Sequence, residues 1–173
     1  MPEKSSLPYH DSKPKGAADF YFGINATFRF VQQKLGHEGL IRYWQQLGSS
    51  YYKPVTEIWS RGGLPAVAQY WKDFFQAEPL PDENEDEATE VKLSDQEVEI
   101  QVKKCPAIAH LQNNNRTIHS TFCQHCYYVS EAMAAPAGLS VRIEGGAGSC
   151  RQHFFKKNPD TPPQDLTLIN TCS

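Results

Sequence analysis

The sequence has no hydrophobic stretch long enough to cross a membrane. None of its apolar runs reaches the roughly 18 residues that a spanning helix needs. Residues 1–15 are polar, contain three prolines and lack the apolar core of a secretory signal. These absences predict a protein that is neither membrane-bound nor exported, and we therefore expect it in the cytoplasm.

Excess positive charge is also missing. Seventeen Lys and Arg residues are outweighed by 20 Asp and Glu residues, which gives a formal net charge of -3. Proteins that bind nucleic acid usually carry a basic patch or stripe to meet the phosphates. The composition therefore argues against a nucleic-acid partner.

Cysteine is scarce and odd in number, with five residues in 173. An odd count fits a disulfide framework poorly, and cytoplasmic thiols stay reduced. Apolar residues make up 39% of the chain and aromatic residues 12%, which is enough for a hydrophobic core. The sequence thus predicts one folded domain with free thiols.

The N-terminal half has the pattern of a helical subdomain. Residues 1–16 are expected to form an extended arm, and residues 17–78 carry apolar side chains at the three- and four-residue spacing of helices. This spacing predicts helices over 19–35, 37–47, 52–58 and 64–75, with breaks at glycines. Residues 79–90 form an acidic linker without glycine, which excludes a calcium loop.

The C-terminal half changes to strand periodicity. Between residues 91 and 157, apolar and polar residues alternate in two pairs of segments, with helical stretches over 106–111 and 118–134 between the pairs. We expect an α+β fold: a helical subdomain, followed by a four-stranded antiparallel sheet of two hairpins with helices on one face. Residues 158–173 are predicted to be an extended tail of this domain.

Four cysteines within the last third of the chain are the most specific feature. Cys105 lies where a strand enters a helix, Cys123 and Cys126 form a CxxC motif, and Cys150 lies early in the last strand. On the predicted helix 118–134, His119 would share a stripe with Cys123 and Cys126. His125 would point away from that stripe into solvent, and Cys172 in the tail has no assigned role.

Three interpretations of this cluster remain open. The four cysteines offer the sulfur ligands of a zinc site or an iron–sulfur cluster, and a shared zinc ion would hold their sulfurs within about 4 Å. With zinc held by three of the ligands, a bound water would be the nucleophile and His119 its proton shuttle. Without metal, Cys105 or Cys126 would be a catalytic thiol with His119 as its base. The thiols could also be purely structural. A thioredoxin-type motif is disfavoured because the CxxC lies inside a helical stretch.

Three short motifs resemble the L-2-amino-thiazoline-4-carboxylic acid hydrolase-like family. They are Lys104-Cys105-Pro106, Cys126-Tyr127-Tyr128 with the helical stretch through Ala134, and the run from Gly145 to Cys150. The resemblance implies a hydrolase that opens a sulfur-containing ring, with its functional cysteines at Cys105, Cys126 and Cys150. Cys123 and His119 are additions to that pattern.

The sequence therefore supports two hypotheses. The first is a small hydrolase-like enzyme that cleaves a carbon–nitrogen or carbon–sulfur bond in a small S/N-containing substrate, through a cysteine-rich metal or thiolate site. The second is a non-catalytic iron–sulfur or zinc subunit of a larger complex. In either case, the arm and tail are expected to contact a protein partner or a second copy of the chain.

Overall fold

The computed structural model describes residues 18–78, 80 and 88–172. The predicted N-terminal arm and most of the acidic linker lie outside the described residues. The described part is an α+β fold with a helical N-terminal region and a five-stranded sheet. This confirms the predicted class.

Two long helices form the N-terminal region. Helix α1 runs over Ala18–Gln46 and helix α2 over Lys53–Ala77, with a π-helical turn at Leu47–Tyr51 between them. Each long helix is broken once, at Gly36 (φ 70°) and at Gly63 (φ 56°), where the sequence predicts helix ends. No helix in the described ranges is long and apolar enough to cross a membrane.

The sheet has five strands and not the four predicted. They are β1 (Thr89–Leu93), β2 (Glu97–Val102), β3 (Leu139–Gly146), β4 (Ser149–Lys156) and β5 (Ile169–Asn170). The order is β1-β2-β4-β3-β5; the two predicted hairpins pair antiparallel through β2 and β4, but β5 runs parallel to β3. The prediction of a purely antiparallel sheet is therefore wrong, because a two-residue strand carries no alternation that a sequence pattern could detect.

Two shorter helices lie between the hairpins. Helix α3 covers Pro106–Asn113, and helix α4 covers Gln124–Ala134. The predicted helix over 118–134 therefore begins six residues late. Residues 116–123 form loop and turns, held in part because Asn25 of α1 accepts the His119 N–H through its side-chain oxygen and donates to the Thr117 carbonyl, both at 2.9 Å.

The core lies between the helices and one face of the sheet. Alternate residues of β2 (Val98, Ile100 and Val102) are buried, and Phe154 of β4 packs edge-on against Trp59 of α2 at 5.5 Å. Phe28 and Trp44 of α1 pack against one another at 5.3 Å, and both are fully buried. The helical region and the sheet thus share one core, as expected for a single domain.

The C-terminal segment packs on the sheet of its own chain. Gln164 is 8% exposed, accepts the Ile143 N–H at 3.0 Å and donates to the Ile143 carbonyl at 3.1 Å. Further along, β5 pairs with the end of β3, and Cys172 is 5% exposed. Residues 158–172 therefore do not extend away from the domain, because their polar groups complete the edge of β3.

Candidate functional site

Four cysteines from separate elements line one cavity of about 670 Å³. Cys105 precedes α3, Cys123 is the residue before α4, Cys126 lies in the first turn of α4, and Cys150 is the second residue of β4. All four are free thiols that are partly shielded from solvent. The predicted convergence of these cysteines is therefore present in the fold.

The remaining wall of this thiol cavity is largely aromatic. It is formed by side chains of α1, the π-helical turn and α2, together with Phe122. Prominent among them are Tyr21, Phe28, Tyr52, Tyr70, Trp71 and Phe75. The volume and lining are those of a pocket for a small molecule with a flat or apolar part.

Cys105 lies at the N-terminus of α3. Its backbone N–H donates to the Gly148 carbonyl at 2.8 Å, which joins the start of α3 to the β3–β4 turn. Its sulfur accepts backbone hydrogen bonds from Ile108 and Ala107, but burial outweighs them and raises the pKa of Cys105 to about 12. The thiol is therefore protonated at neutral pH, although two donors stand ready to stabilise its thiolate.

Cys126 and Cys150 are also protonated at neutral pH. Burial raises the pKa of Cys126 to about 12, and the pKa of Cys150 likewise to about 12. The Gln152 amide donates to the Cys150 sulfur at 3.7 Å. Each ionised thiol would also raise the pKa of its neighbours, because like charges in one cavity repel. The cavity thus holds three thiols that are neutral at neutral pH.

Cys123 makes a close contact with Cys172. Their sulfurs are 3.5 Å apart, and the Ala147 N–H donates to the Cys123 sulfur at 3.2 Å. The thiol–thiol hydrogen bond raises the pKa of Cys123 and lowers that of Cys172. The sequence offered no signal for this contact because the two residues are 49 positions apart.

The cysteine sulfurs are too widely spaced for a preformed single-ion site. Among the described residues, no three cysteine sulfurs lie within 4.8 Å of one another. A tetrahedral zinc ion with Zn–S bonds of about 2.3 Å requires sulfurs closer than this. The sulfurs would therefore have to move together to share one zinc ion, whereas an iron–sulfur cluster spans larger distances.

His119 does not line the cavity. It is buried in the turn before α4, where its Nδ1 accepts the Thr121 N–H at 3.3 Å. Burial lowers its pKa. Since residues 116–123 are not helical, the predicted stripe of His119 with Cys123 and Cys126 does not form, and the proposed base lies away from the thiols.

His125 takes the place in the cavity that was expected of His119. Its Nδ1 is hydrogen-bonded to the Phe122 carbonyl, which makes Nδ1 the protonated nitrogen and leaves Nε2 as an acceptor. Nε2 lies 3.8 Å from the Cys126 sulfur, and burial lowers the pKa of the ring. The expectation that His125 points into solvent is wrong, because its ring packs against Phe28 at 5.1 Å and Phe122 at 4.9 Å between ring centroids.

Several polar groups of the cavity were not singled out from the sequence. Tyr21 donates a hydrogen bond to the Glu78 carboxylate, and burial and Glu78 together raise the pKa of Tyr21. Gln152 is 4% exposed, and its Oε1 has no hydrogen-bond partner among the described residues. The buried indole Nε1 of Trp71 is likewise unpaired within those ranges. A glutamine on the buried face of an alternating strand is the one local signal that could have revealed this site.

A separate group of ligating side chains lies on the opposite face of the sheet. Glu97, Glu99 and His153 bring one atom each within 4.8 Å of the others, and His153 pairs with Glu97 at 3.2 Å. In the strands, these residues alternate with the buried ones. Partly exposed acidic groups of this kind are common on sheets, and this group does not belong to the thiol cavity.

Comparisons of the chain with protein-family models, curated proteins and solved structures gave no match. The function must therefore be inferred from the geometry and chemistry of the cavity.

Proposed function

We propose that this protein is a small cytoplasmic enzyme that hydrolyses a small S/N-containing substrate in the thiol cavity. The observation that carries the proposal is the meeting of four cysteines with a buried, unpaired glutamine oxygen in one aromatic pocket. Reactive groups and unsatisfied polar atoms together are typical of a site built for a ligand.

The unpaired polar atoms indicate the kind of substrate. Gln152 Oε1 requires a donor, and Trp71 Nε1 requires an acceptor. A buried polar atom without a partner costs about 1–3 kcal/mol, so a ligand that pairs with it gains affinity and orientation. A small molecule with an N–H group and an acceptor, such as an amidine-like ring, meets both requirements.

Cys105 is the proposed nucleophile. The N–H groups at the start of α3 already point to its sulfur, so they would stabilise the thiolate as it forms. A cationic nitrogen of the substrate would favour that thiolate further and would find the Glu78 carboxylate on the same cavity wall. The thiolate would attack the electrophilic carbon, and the ring heteroatom would leave with the proton that Cys105 lost. Water would then break the bond between the Cys105 sulfur and that carbon, which releases the product and restores the thiol.

The resemblance of three motifs to the thiazoline hydrolase-like family supports this proposal. Their cysteines, Cys105, Cys126 and Cys150, all line the cavity. Hydrolysis of a 2-aminothiazoline ring adds water at C2 and breaks the C2–S bond, which releases a thiol. Gln152 lies beside Cys150 and would orient the ring nitrogen.

The test is the turnover of 2-aminothiazoline-4-carboxylate by the reduced protein, with the released thiol measured by mass spectrometry. We expect Cys105→Ser to abolish turnover, and Gln152→Leu to raise KM because it removes the acceptor without adding bulk. Cys172→Ala is the matched control, since Cys172 does not line the cavity and the variant should retain the wild-type rate. Equal rates in all variants would refute the proposal.

A second candidate is a non-catalytic iron–sulfur subunit of a larger assembly. It is favoured by the number of sulfur ligands, because four cysteines line the cavity and an iron–sulfur cluster is held by four. Cys105, Cys123, Cys126 and Cys150 would hold it, and it would supply one-electron chemistry. Anaerobic purification distinguishes the candidates, since bound iron and sulfide at stoichiometric amounts support the cluster, and a colourless, metal-free protein supports the enzyme.

Under either candidate function we propose a surface that binds another protein chain. Phe30 of α1 and Ile58 of α2 are each at least half-exposed. We propose that these side chains, together with the N-terminal arm, contact a protein partner or a second copy of the chain. Analytical ultracentrifugation of the wild type and of Phe30→Glu tests it, and identical monomers in both would contradict it.

A further inference from the structure

Cys123 and Cys172 are close enough to be joined by a bond. Their sulfurs are 3.5 Å apart, and both are free. A disulfide needs about 2.05 Å between the sulfurs, so the two sulfurs must approach one another by about 1.5 Å. Among the described residues, no other two cysteine sulfurs are in hydrogen-bonding contact.

The surrounding backbone holds the two residues in place from both sides. The Cys172 N–H donates to the Ser120 carbonyl at 2.8 Å, and Asn170 pairs with Gly146 of β3. The Ala147 N–H donates to the Cys123 sulfur from the same β3–β4 turn. The pair is therefore fixed by the fold and is not a chance approach of two mobile side chains.

The two thiols differ in their access to solutes. Cys123 is partly exposed and lines the cavity, whereas Cys172 is 5% exposed and does not. A small oxidant that enters the cavity therefore meets Cys123 first. Cys172 then lies directly behind it, in the position of a resolving thiol.

We infer that Cys123 and Cys172 form an oxidisable dithiol whose oxidant is a small hydroperoxide. As the Cys123 sulfur attacks the peroxide, its proton passes across the hydrogen bond to the Cys172 sulfur and on to the leaving hydroxyl, so the O–O bond breaks and Cys123 sulfenic acid and water form. The Cys172 sulfur then displaces the hydroxyl as a second water, so that one hydrogen peroxide and two thiols give one disulfide and two waters. The disulfide joins the C-terminal segment to the start of α4 and removes one thiol from the cavity. The inference does not depend on what the cavity binds.

The experiment uses the full chain, reduced and then treated with one equivalent of hydrogen peroxide under native conditions. Remaining thiols are alkylated in acid, and the disulfide-linked peptides are mapped by mass spectrometry. We expect a cross-link between the peptides of Cys123 and Cys172 before any other cysteine pair. The same cross-link should form in Cys105→Ala, which keeps both partners and loses one cavity thiol.

Cys172→Ala provides the chemical control. It should form no cross-link, and a cyclic diketone probe should instead trap sulfenic acid at Cys123, because the resolving thiol is gone. If this variant fails to fold, the wild-type map alone decides the question. A first disulfide between any other pair, or full alkylation of both Cys123 and Cys172 after peroxide is consumed, would overturn the inference. Neither result bears on turnover, so the proposed function is judged separately.

Discussion

Alkaline pH should destabilise this protein through its buried thiols. The ordinary thiol pKa is 9.0, and burial raises those of Cys105, Cys126 and Cys150 to about 12. Between these values, the unfolded chain loses its thiol protons while the folded chain keeps them. The unfolded state then binds fewer protons, so the free energy of unfolding falls as pH rises. The stability is fully present below about pH 9 and is lost progressively towards about pH 12.

The size of the loss in stability follows from the pKa shifts of the thiols. One pKa unit corresponds to about 1.4 kcal/mol, so each buried thiol costs about 1.4 kcal/mol near pH 10, one unit above its unfolded value. The three thiols together would lower the stability by about 4 kcal/mol, which is a large part of the roughly 5–15 kcal/mol that holds a domain folded.

The assay is urea unfolding of the reduced, chelator-treated protein near pH 8 and near pH 10, followed by the fluorescence of its tryptophans. Cys126→Ala serves as the comparison, because lysines and tyrosines titrate equally in both proteins. We expect the variant to lose about 1.4 kcal/mol less than the wild type over this range. Equal losses, or a thiolate absorbance that rises at the same pH in folded and unfolded protein, would refute burial as the cause.

Other predictions concern the contacts that position the cavity. Gly48→Ala places a Cβ 2.5 Å from the Val129 carbonyl oxygen and should lower the free energy of unfolding by about 1–3 kcal/mol. Gly23→Ala is the control, because its Cβ would have nothing within 4 Å, and it should leave the free energy of unfolding equal or higher. The midpoints of urea unfolding of the two variants and the wild type test both expectations. Gln164→Ala leaves two backbone groups of β3 unpaired and should speed carboxypeptidase removal of the C-terminal segment; an unchanged rate would contradict this. Asn25→Ala should cost about 1–3 kcal/mol and increase hydrogen exchange of the loop before α4, and unchanged exchange there would show that Asn25 does not hold the loop.

Local pattern determined much of the fold from the sequence. Gly36 and Gly63 interrupt the apolar stripes of the helices, and the backbone there takes positive φ values that glycine adopts at little cost. The alternation of Val98, Ile100 and Val102 predicts a strand with one buried face, which the structure has. These features depend on neighbouring residues only, so a sequence pattern can carry them.

At the candidate site, the sequence pattern predicted some of the residues that line the cavity but not others. The type of residue and the ends of elements indicated Cys105, Cys123, Cys126 and Cys150 as one group, and in the structure all four line one cavity. The sequence could not predict that His125 and not His119 lines the cavity, because the residue spacing typical of a helix continues through residues 118–123. The side chain of Asn25, far away in the sequence, holds that stretch as a loop.

The remaining features were decided by tertiary structure alone. Strand β5 exists because the end of β3 offers unpaired backbone groups, and the pairing brings Cys172 against Cys123. Glu78 enters the cavity because Tyr21, 57 residues earlier, donates to it. A residue's own neighbours in sequence determine its periodicity and φ, whereas its partners across the core depend on how the helices and the sheet pack together. Composition and spacing therefore predicted the elements and the cysteines, and only the packed chain determined which groups stand beside them.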